Sequence, residues 1–513
     1  MFNLSVTTIL VKGINTFRNI NPQALLAHDL FGIFFLYAIS HGAIFLLLNA
    51  VFWDDWILLM AKPEIVVEMF VQQAATLFYL EGHLHVFLLK IGLWIYKLST
   101  FFMMAGAGYF LYCILKKYRQ INDELRFFIV LIFLIFPYYS ARVSIINYRY
   151  TACYFCFFFA WYLSTRSRLI SNALFFLSFN TQSLLVFYAV PFFDKFQRDV
   201  RWISVLSVWK FVRGNIWFLI LPFAFFLLKN VYFRPSGLYE GYNQQFSFNN
   251  LISSPLAQIR NLLEFRPSFP LLGLILAFYF AIFFVLKRRI DNLIRSRELI
   301  LSIRLVLIGA AVFVFAAFPY WILGHIPTFN EWSSRHQLLL PLGTSLLVLG
   351  LILCLPKILA KHLLSLFIGA FVAINIHNYF YFVIDWKKQQ ALVASISNDE
   401  EIKKSSLIVF DDKTKNLNAI DRTYRNYEWS GIVKMAFGDE SRYCIDASNW
   451  KEYSGRLSSP SVNKYYLASD FEQLHYAHPL HVRVEYRGAN KFDIFMGLFL
   501  NPAKVFVLRS NVS

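Results

Sequence analysis

Runs of about twenty apolar residues recur along this chain, separated by short clusters of Lys and Arg, and a helical body embedded in lipid is the fold that accommodates such a pattern. In hydrocarbon every backbone N–H and C=O has to bond within its own segment, so each run is expected to be a helix. The first, Leu30 to Phe52, is long enough at about 1.5 Å per residue to cross a hydrocarbon layer of roughly 30 Å. Composition agrees: 58% of the 513 residues are hydrophobic, and 16% charged residues are too few to cover a soluble body of this size. The formal charge of +18 is spread among the basic clusters rather than gathered on one soluble region with interleaved aromatics, which argues against nucleic acid as a partner.

The basic clusters assign topology by the bias of Lys and Arg toward the cytoplasm. Lys116, Lys117, Arg119 and Arg126 mark that side, as do Arg166 with Arg168, the group Lys195, Arg198, Arg201, Lys210 and Arg213, the group Lys287, Arg288, Arg289, Arg295 and Arg297, and Lys357 with Lys361. Membrane segments are predicted between them over 84 to 115, 126 to 141, 146 to 164, 215 to 233, 268 to 286, 303 to 321, 337 to 355 and 362 to 384, with Leu169 to Phe193 as a short helical hairpin. This gives an all-α polytopic membrane protein of about eleven segments, N-terminus in the cytoplasm and C-terminus outside. The stretch 84 to 115 is too long for one perpendicular helix and reads as a tilted helix, or as an interfacial helix up to Lys97 followed by a span. Lys12 and Arg18 precede the first run without a cleavable apolar core, so targeting is assigned to the first membrane helix and the location to a bacterial inner membrane.

From Asp385 onward polar residues dominate, and strand-like runs such as Leu407 to Phe410 and Val482 to Tyr486 alternate with turn signals. The expected organisation is a transmembrane body over 1–384 and a small α/β domain over 385–513 on the outer face. Cys113, Cys153, Cys156 and Cys354 lie in apolar runs and read as small hydrophobes. There is no Gly-rich phosphate loop, zinc helix pattern or Ser-nucleophile elbow, so no metal or other cofactor is assigned, and nothing in the sequence supports a divalent cation.

Asp54 and Asp55 follow the first membrane run between Trp53 and Trp56, which puts two carboxylates at the level of the lipid headgroups. One Asp there commonly just ends a helix in water; two among tryptophans point further. Desolvation and mutual repulsion raise the proton affinity of one of them, as suits a general base taking a hydroxyl proton near neutral pH. Next in the chain, Ile65, Val66, Met69, Phe70, Ala74, Leu77 and Phe78 recur opposite Glu64, Glu68, Gln72 and Gln73, predicting an amphipathic helix over Pro63 to Leu80 on the membrane surface.

The stretch Phe52-Trp53-Asp54-Asp55-Trp56 in the first outward loop, followed by a surface helix and a multi-span body over about 1 to 384, resembles the GT-C superfamily of polyprenyl-phosphate-sugar-dependent glycosyltransferases. Within it the chain is similar to bacterial membrane transferases that decorate surface polysaccharides, O-antigen glucosyltransferases among them. The resemblance implies an inverting displacement: Asp54 or Asp55 deprotonates the acceptor hydroxyl, a glycan or lipid-linked acceptor receives the sugar, and the lipid phosphate leaves. Many members carry a further acid in the second outward loop. Here Pro137 to Tyr150 has none and offers Arg142, Asn147 and Arg149, which weakens a two-carboxylate or metal-bound version of the mechanism.

Arg142, Arg149, Arg234 and Arg335 fall on the outward side against the charge bias, and guanidinium forks suit phosphate oxygens. Headgroup anchoring is the plainer role for each, and for Arg234 the preferred one. Arg335 stands with Glu331 and His336 directly before a span, a context that combines acid, base and hydrogen bonders for a donor sugar or phosphate. His83 and His85 close the first outward loop at a spacing that does not share a metal, and His83 is a candidate hydrogen bonder to the donor. Two other readings stay open, a polysaccharide polymerase or ligase and a transporter or flippase for lipid-linked sugar.

Overall fold

The computed structural model describes residues 29–73, 79–137, 139–200, 204–240, 246–264, 266–326, 328, 332–438, 442–451, 479–488 and 490–512. Lys12 and Arg18, the second part of the predicted surface helix (Ala74, Leu77, Phe78) and Glu331 lie outside the described residues.

Among the described residues four helices are long and apolar enough to cross a membrane: Asp29–Leu47, Trp94–Leu115, Leu299–Trp321 and Lys357–Ile396. Two further pairs, Val205–Gly214 with Ile216–Tyr232 and Phe269–Val285 with Lys287–Arg295, are bent by 63° and 69° and raise the number to six if each is one span. About eleven segments were expected, and several of the predicted runs are helices shorter than this length criterion. The run predicted over 126 to 141 is a helix of 13 residues, Asp123–Ile135. Its length is about 20 Å, short of the hydrocarbon layer, and every residue from Leu125 to Ile135 is buried against protein. Hydropathy does not distinguish such an internal helix from one that faces lipid. The expected hairpin over 169–193 is three short helices, Arg168–Ser178, Ser183–Phe187 and Ala189–Asp199.

Small residues set the closest packing. A Cβ at Gly309 would stand 2.8 Å from Leu347 Cα, and one at Gly343 would stand 2.6 Å from Phe313 Cα, so Leu299–Trp321 and Leu340–Cys354 touch backbone to backbone.

The helix Lys357–Ile396 has 40 residues, a length of about 60 Å and twice the hydrocarbon thickness. It passes through Asp385 without a break and carries its last turns into the polar C-terminal unit. There four strands, β1 (Leu407–Asp412), β2 (Tyr443–Asp446), β3 (Leu480–Tyr486) and β4 (Phe506–Val512), form a sheet in the order β2-β1-β3-β4. β1 is parallel to both neighbours, pairing Phe410 with Asp446 and Val482, and β3 is antiparallel to β4. Both strand-like runs read from the sequence, Leu407 to Phe410 and Val482 to Tyr486, lie within strands.

The helix Asn426–Phe437 connects β1 to β2, and its Trp429 stacks on Phe410 with ring centroids 4.3 Å apart. One hydrophobic core joins this unit to the membrane body. It contains Trp53 and Trp56 from the acidic loop, Phe382 and Trp386 from the long helix, and Ile408, Phe410, Trp429 and Ile432 from the C-terminal unit.

Candidate active site

The acidic pair is split by burial. Asp55 opens the short helix Asp55–Met60 and is fully buried. Its Oδ1 accepts from Ser144 Oγ and from the Ile146 N–H at 2.9 Å, and its Oδ2 accepts from the Phe52 N–H at 3.3 Å. Burial pushes the Asp55 carboxyl up, and the ammonium of Lys97, itself buried, pulls the other way along with the Ser144 hydroxyl. With its oxygens taken by the protein, Asp55 acts as a tie between the acidic loop and the segment that follows the turn Ser140–Val143.

Asp54 is half-buried, and its Oδ1 accepts a hydrogen bond from Tyr427 Oη at 2.7 Å. Tyr427 belongs to the helix Asn426–Phe437, so the C-terminal unit reaches into the acidic loop. The next residue, Glu428, accepts from the Trp53 N–H at 3.3 Å, from the Arg425 N–H at 3.0 Å and from Arg422. Arg422 also pairs at 3.2 Å with Asp385 Oδ2, and its guanidinium lies 5.4 Å from the Trp53 ring. These contacts hold Trp53 at φ 51°, a left-handed conformation that a tryptophan rarely adopts. The turn at Trp53 aims the two successive carboxylates at different surroundings.

Arg142 lies on the turn Ser140–Val143 and is buried. Its Nε donates to Tyr139 O at 2.6 Å and its Nη2 to Phe136 O at 3.4 Å, while Nη1 has no hydrogen-bond partner among the described residues. Arg142 lines a narrow cleft with Tyr139, Val143, Asn378, Tyr379 and Phe382. Asn378 Nδ2 is a second buried donor there without a hydrogen-bond partner among the described residues. A buried unpaired donor costs about 1–3 kcal/mol, so two beside one cleft favour a hydrogen-bond acceptor in it. Phe382 joins this cleft to the acidic loop, its ring 5.5 Å from that of Trp53.

The turn Trp332–Gln337 closes the other side. Ser334 Oγ accepts from the Ala141 N–H at 2.9 Å and bonds Ser140 Oγ at 3.1 Å, and Trp332 lies 5.6 Å from Trp53, so the two turns and the acidic loop form one cluster. The Arg335 guanidinium sits 4.5 Å over Trp332 and has no carboxylate partner among the described residues. His336 is buried against His325 and Tyr320, with centroids 4.9 and 5.0 Å away. Burial, reinforced by Arg335 and His325, holds its imidazole well below the ordinary value, hence neutral at physiological pH.

Other predicted residues stand elsewhere. Arg149 donates to Glu81 Oε2 at 3.4 Å, and Asn180 shares that oxygen at 3.3 Å, so this guanidinium is committed to a buried pair. His83 is exposed on the helix Tyr79–Ile91, whereas His85 is buried, stacked on Phe70 and bonded to Tyr96 Oη at 3.1 Å. Arg234 is exposed and bonds Asn230 O at 2.6 Å. No group of three or more His, Cys, Asp or Glu side chains among the described residues could hold a metal ion.

Sequence reasoning passed over Lys97, Ser144, Asn378, Asp385, Arg422, Tyr427 and Glu428. Lys97 had a signal, an ammonium inside an apolar run; the others had none, since their roles arise only from distant contacts. No family model, curated protein or solved structure matches this chain.

Proposed function

We propose that this protein is a membrane glycosyltransferase that moves a monosaccharide from a polyprenyl-phosphate donor to a glycan or lipid-linked acceptor, on the outer side of a bacterial inner membrane. The observation that carries the reading is a half-buried carboxylate, Asp54, next in sequence to Trp53, whose ring meets Phe382 of a cleft where the buried donors Arg142 Nη1 and Asn378 Nδ2 have no hydrogen-bond partner among the described residues. Asp54 takes the acceptor hydroxyl proton as that oxygen attacks the anomeric carbon, and the bond from that carbon to the phosphate oxygen breaks, its electron pair leaving with the lipid phosphate. Inversion follows from a single displacement. Phosphate is already a good leaving group, so one carboxylate suffices where glycoside hydrolysis requires two.

Arg142 neutralises charge on the departing phosphate, and Arg335 over Trp332 supplies a second cation beside the same loop. Asp55 positions the loop without touching substrate. Arg149, His83 and His336 have no direct role in this step: the first is held by Glu81, the second is exposed, and the third is stacked on His325.

A buried Glu81–Arg149 pair with His85 at 4.0 Å favours a second reading, since ionisable groups between apolar helices commonly serve transport of a solute or lipid-linked sugar. One experiment separates the two. Purified wild type and Asp54→Asn are given a panel of labelled polyprenyl-phosphate sugars with acceptor. The transferase reading expects turnover by the wild type and a loss of about 10²-fold or more in the variant. Full activity in Asp54→Asn refutes the base assignment, and passage of lipid-linked sugar across liposomes without donor consumption supports transport instead.

A further inference from the structure

The helix Lys491–Leu500 in the C-terminal unit presents a face that the described chain leaves largely open. Phe492 is 66% exposed, Phe499 41% and Leu500 74%, and their spacing puts them on one side of the helix with Met496 between. The rest of the helix is occupied: Leu498 on the opposite side is buried in the core, and Phe495, flanking the exposed face, lies 6.0 Å from Phe380 of the long helix.

That contact fixes the depth of the helix. The rise from Lys361 to Lys387 along Lys357–Ile396 is about 39 Å, close to the roughly 40–45 Å of a bilayer with its headgroups. Lys361 is therefore at one membrane boundary and Phe380 to Lys387 at the other. Lys491–Leu500 packs against this second boundary: Phe495 touches Phe380, and the Lys387 ammonium lies 5.9 Å over the Phe499 ring. Phe380 and Tyr381 on the span are 46% and 39% exposed, so the apolar surface of the span runs on into that of the short helix. Lys504, exposed one turn beyond the helix, and Lys387 place positive charge where lipid phosphates lie. Asp493, the exposed acid of the first turn, sits at the edge of the apolar face, where the helix N-terminus stabilises it.

We infer that Lys491–Leu500 is a membrane-interface anchor whose Phe492, Phe499 and Leu500 face seats in the boundary between headgroups and acyl chains, holding the C-terminal unit, and with it Tyr427, down onto the acidic loop. The occupant is the lipid surface, because the covered side of this helix is continuous with a membrane span at the level where that span leaves the bilayer. The inference is independent of the reaction proposed above.

The test uses the full chain with Cys354→Ala, reconstituted into vesicles of phosphatidylcholine and phosphatidylglycerol. An environment-sensitive fluorophore is attached through Phe492→Cys, Leu500→Cys or, as a control at the exposed Arg483 of β3, Arg483→Cys, and labelling of the parent is subtracted. Lipids brominated on their acyl chains are expected to quench the probes at 492 and 500 but not at 483. Iodide supplied on both sides of the membrane is expected to do the reverse, with several-fold protection at 492 and 500. Iodide quenching at those two positions equal to that at 483 overturns the inference in favour of an aqueous face. Protection from both quenchers also overturns it, because a second protein chain then covers the face.

Discussion

Gly431→Ala tests whether the C-terminal unit positions the acidic loop. Gly431 lies one turn beyond Tyr427 on the helix Asn426–Phe437, facing the indole of Trp56. A Cβ at this position would stand 2.7 Å from Trp56 Cδ2 and 2.9 Å from Cζ3, closer still to Cε3, and Trp56 is 1% exposed with no room to withdraw. Overpacking of this kind costs about 1–3 kcal/mol, here toward the upper end. Alanine in a helix returns about 1 kcal/mol over glycine. The net destabilisation is about 2 kcal/mol, roughly thirtyfold in the docking equilibrium. It falls on the contacts from Tyr427 to Asp54 and from Glu428 to the Trp53 N–H. The assay is hydrogen exchange of residues 426–437 in nanodiscs alongside sugar transfer. Both protection and transfer should fall, and adding Trp56→Phe should restore them, since Trp56 Nε1 has no hydrogen bond to lose among the described residues. Unchanged exchange in Gly431→Ala, or no recovery in the double variant, refutes the docking account.

Three further outcomes are expected. Tyr427→Phe removes the hydrogen bond to Asp54, worth about 1.5–3 kcal/mol to a charged acceptor, and should lower kcat about tenfold or more while leaving donor KM unchanged in steady-state transfer assays. Arg142→Lys loses the planar fork and should raise donor KM about tenfold or more, with a thermal melting temperature near that of the wild type. Burial alone would raise the Asp412 carboxyl, but the ammonium of Lys388, 2.7 Å away, and the Thr414 hydroxyl and N–H hold it below the ordinary carboxylate range. A depressed folded value stabilises the native state fully above the unfolded pKa of about 3.9, and the contribution is lost as pH falls through the folded value. Melting of the wild type should therefore drop through that acidic window, and Asp412→Asn should be less stable at neutral pH with a flatter acid limb.

Hydropathy and periodicity act along the chain, and what depends on them was legible. Apolar runs at Leu30 to Phe52, 303 to 321 and 362 to 384 correspond to long apolar helices, and the change to alternating runs after Asp385 corresponds to the β-sheet unit. The same signal does not tell how a run is used: Asp123–Ile135 is apolar and buried against protein throughout. The unusual character of the Trp-flanked acidic pair was also visible, as chemistry that a membrane boundary tolerates only with partners.

Which carboxylate stays open was a tertiary decision. Asp54 and Asp55 are adjacent and chemically identical, yet one is enclosed by Ser144 and the Ile146 N–H and the other meets Tyr427 from more than three hundred residues away. Arg142 and Arg149 likewise look equivalent in sequence. One keeps an Nη1 with no hydrogen-bond partner among the described residues, at a cleft, while the other is paired with Glu81. Residue type and spacing determine solvent and periodicity, whereas desolvation and partner choice are set by what the folded chain brings within about 3 Å of each polar atom.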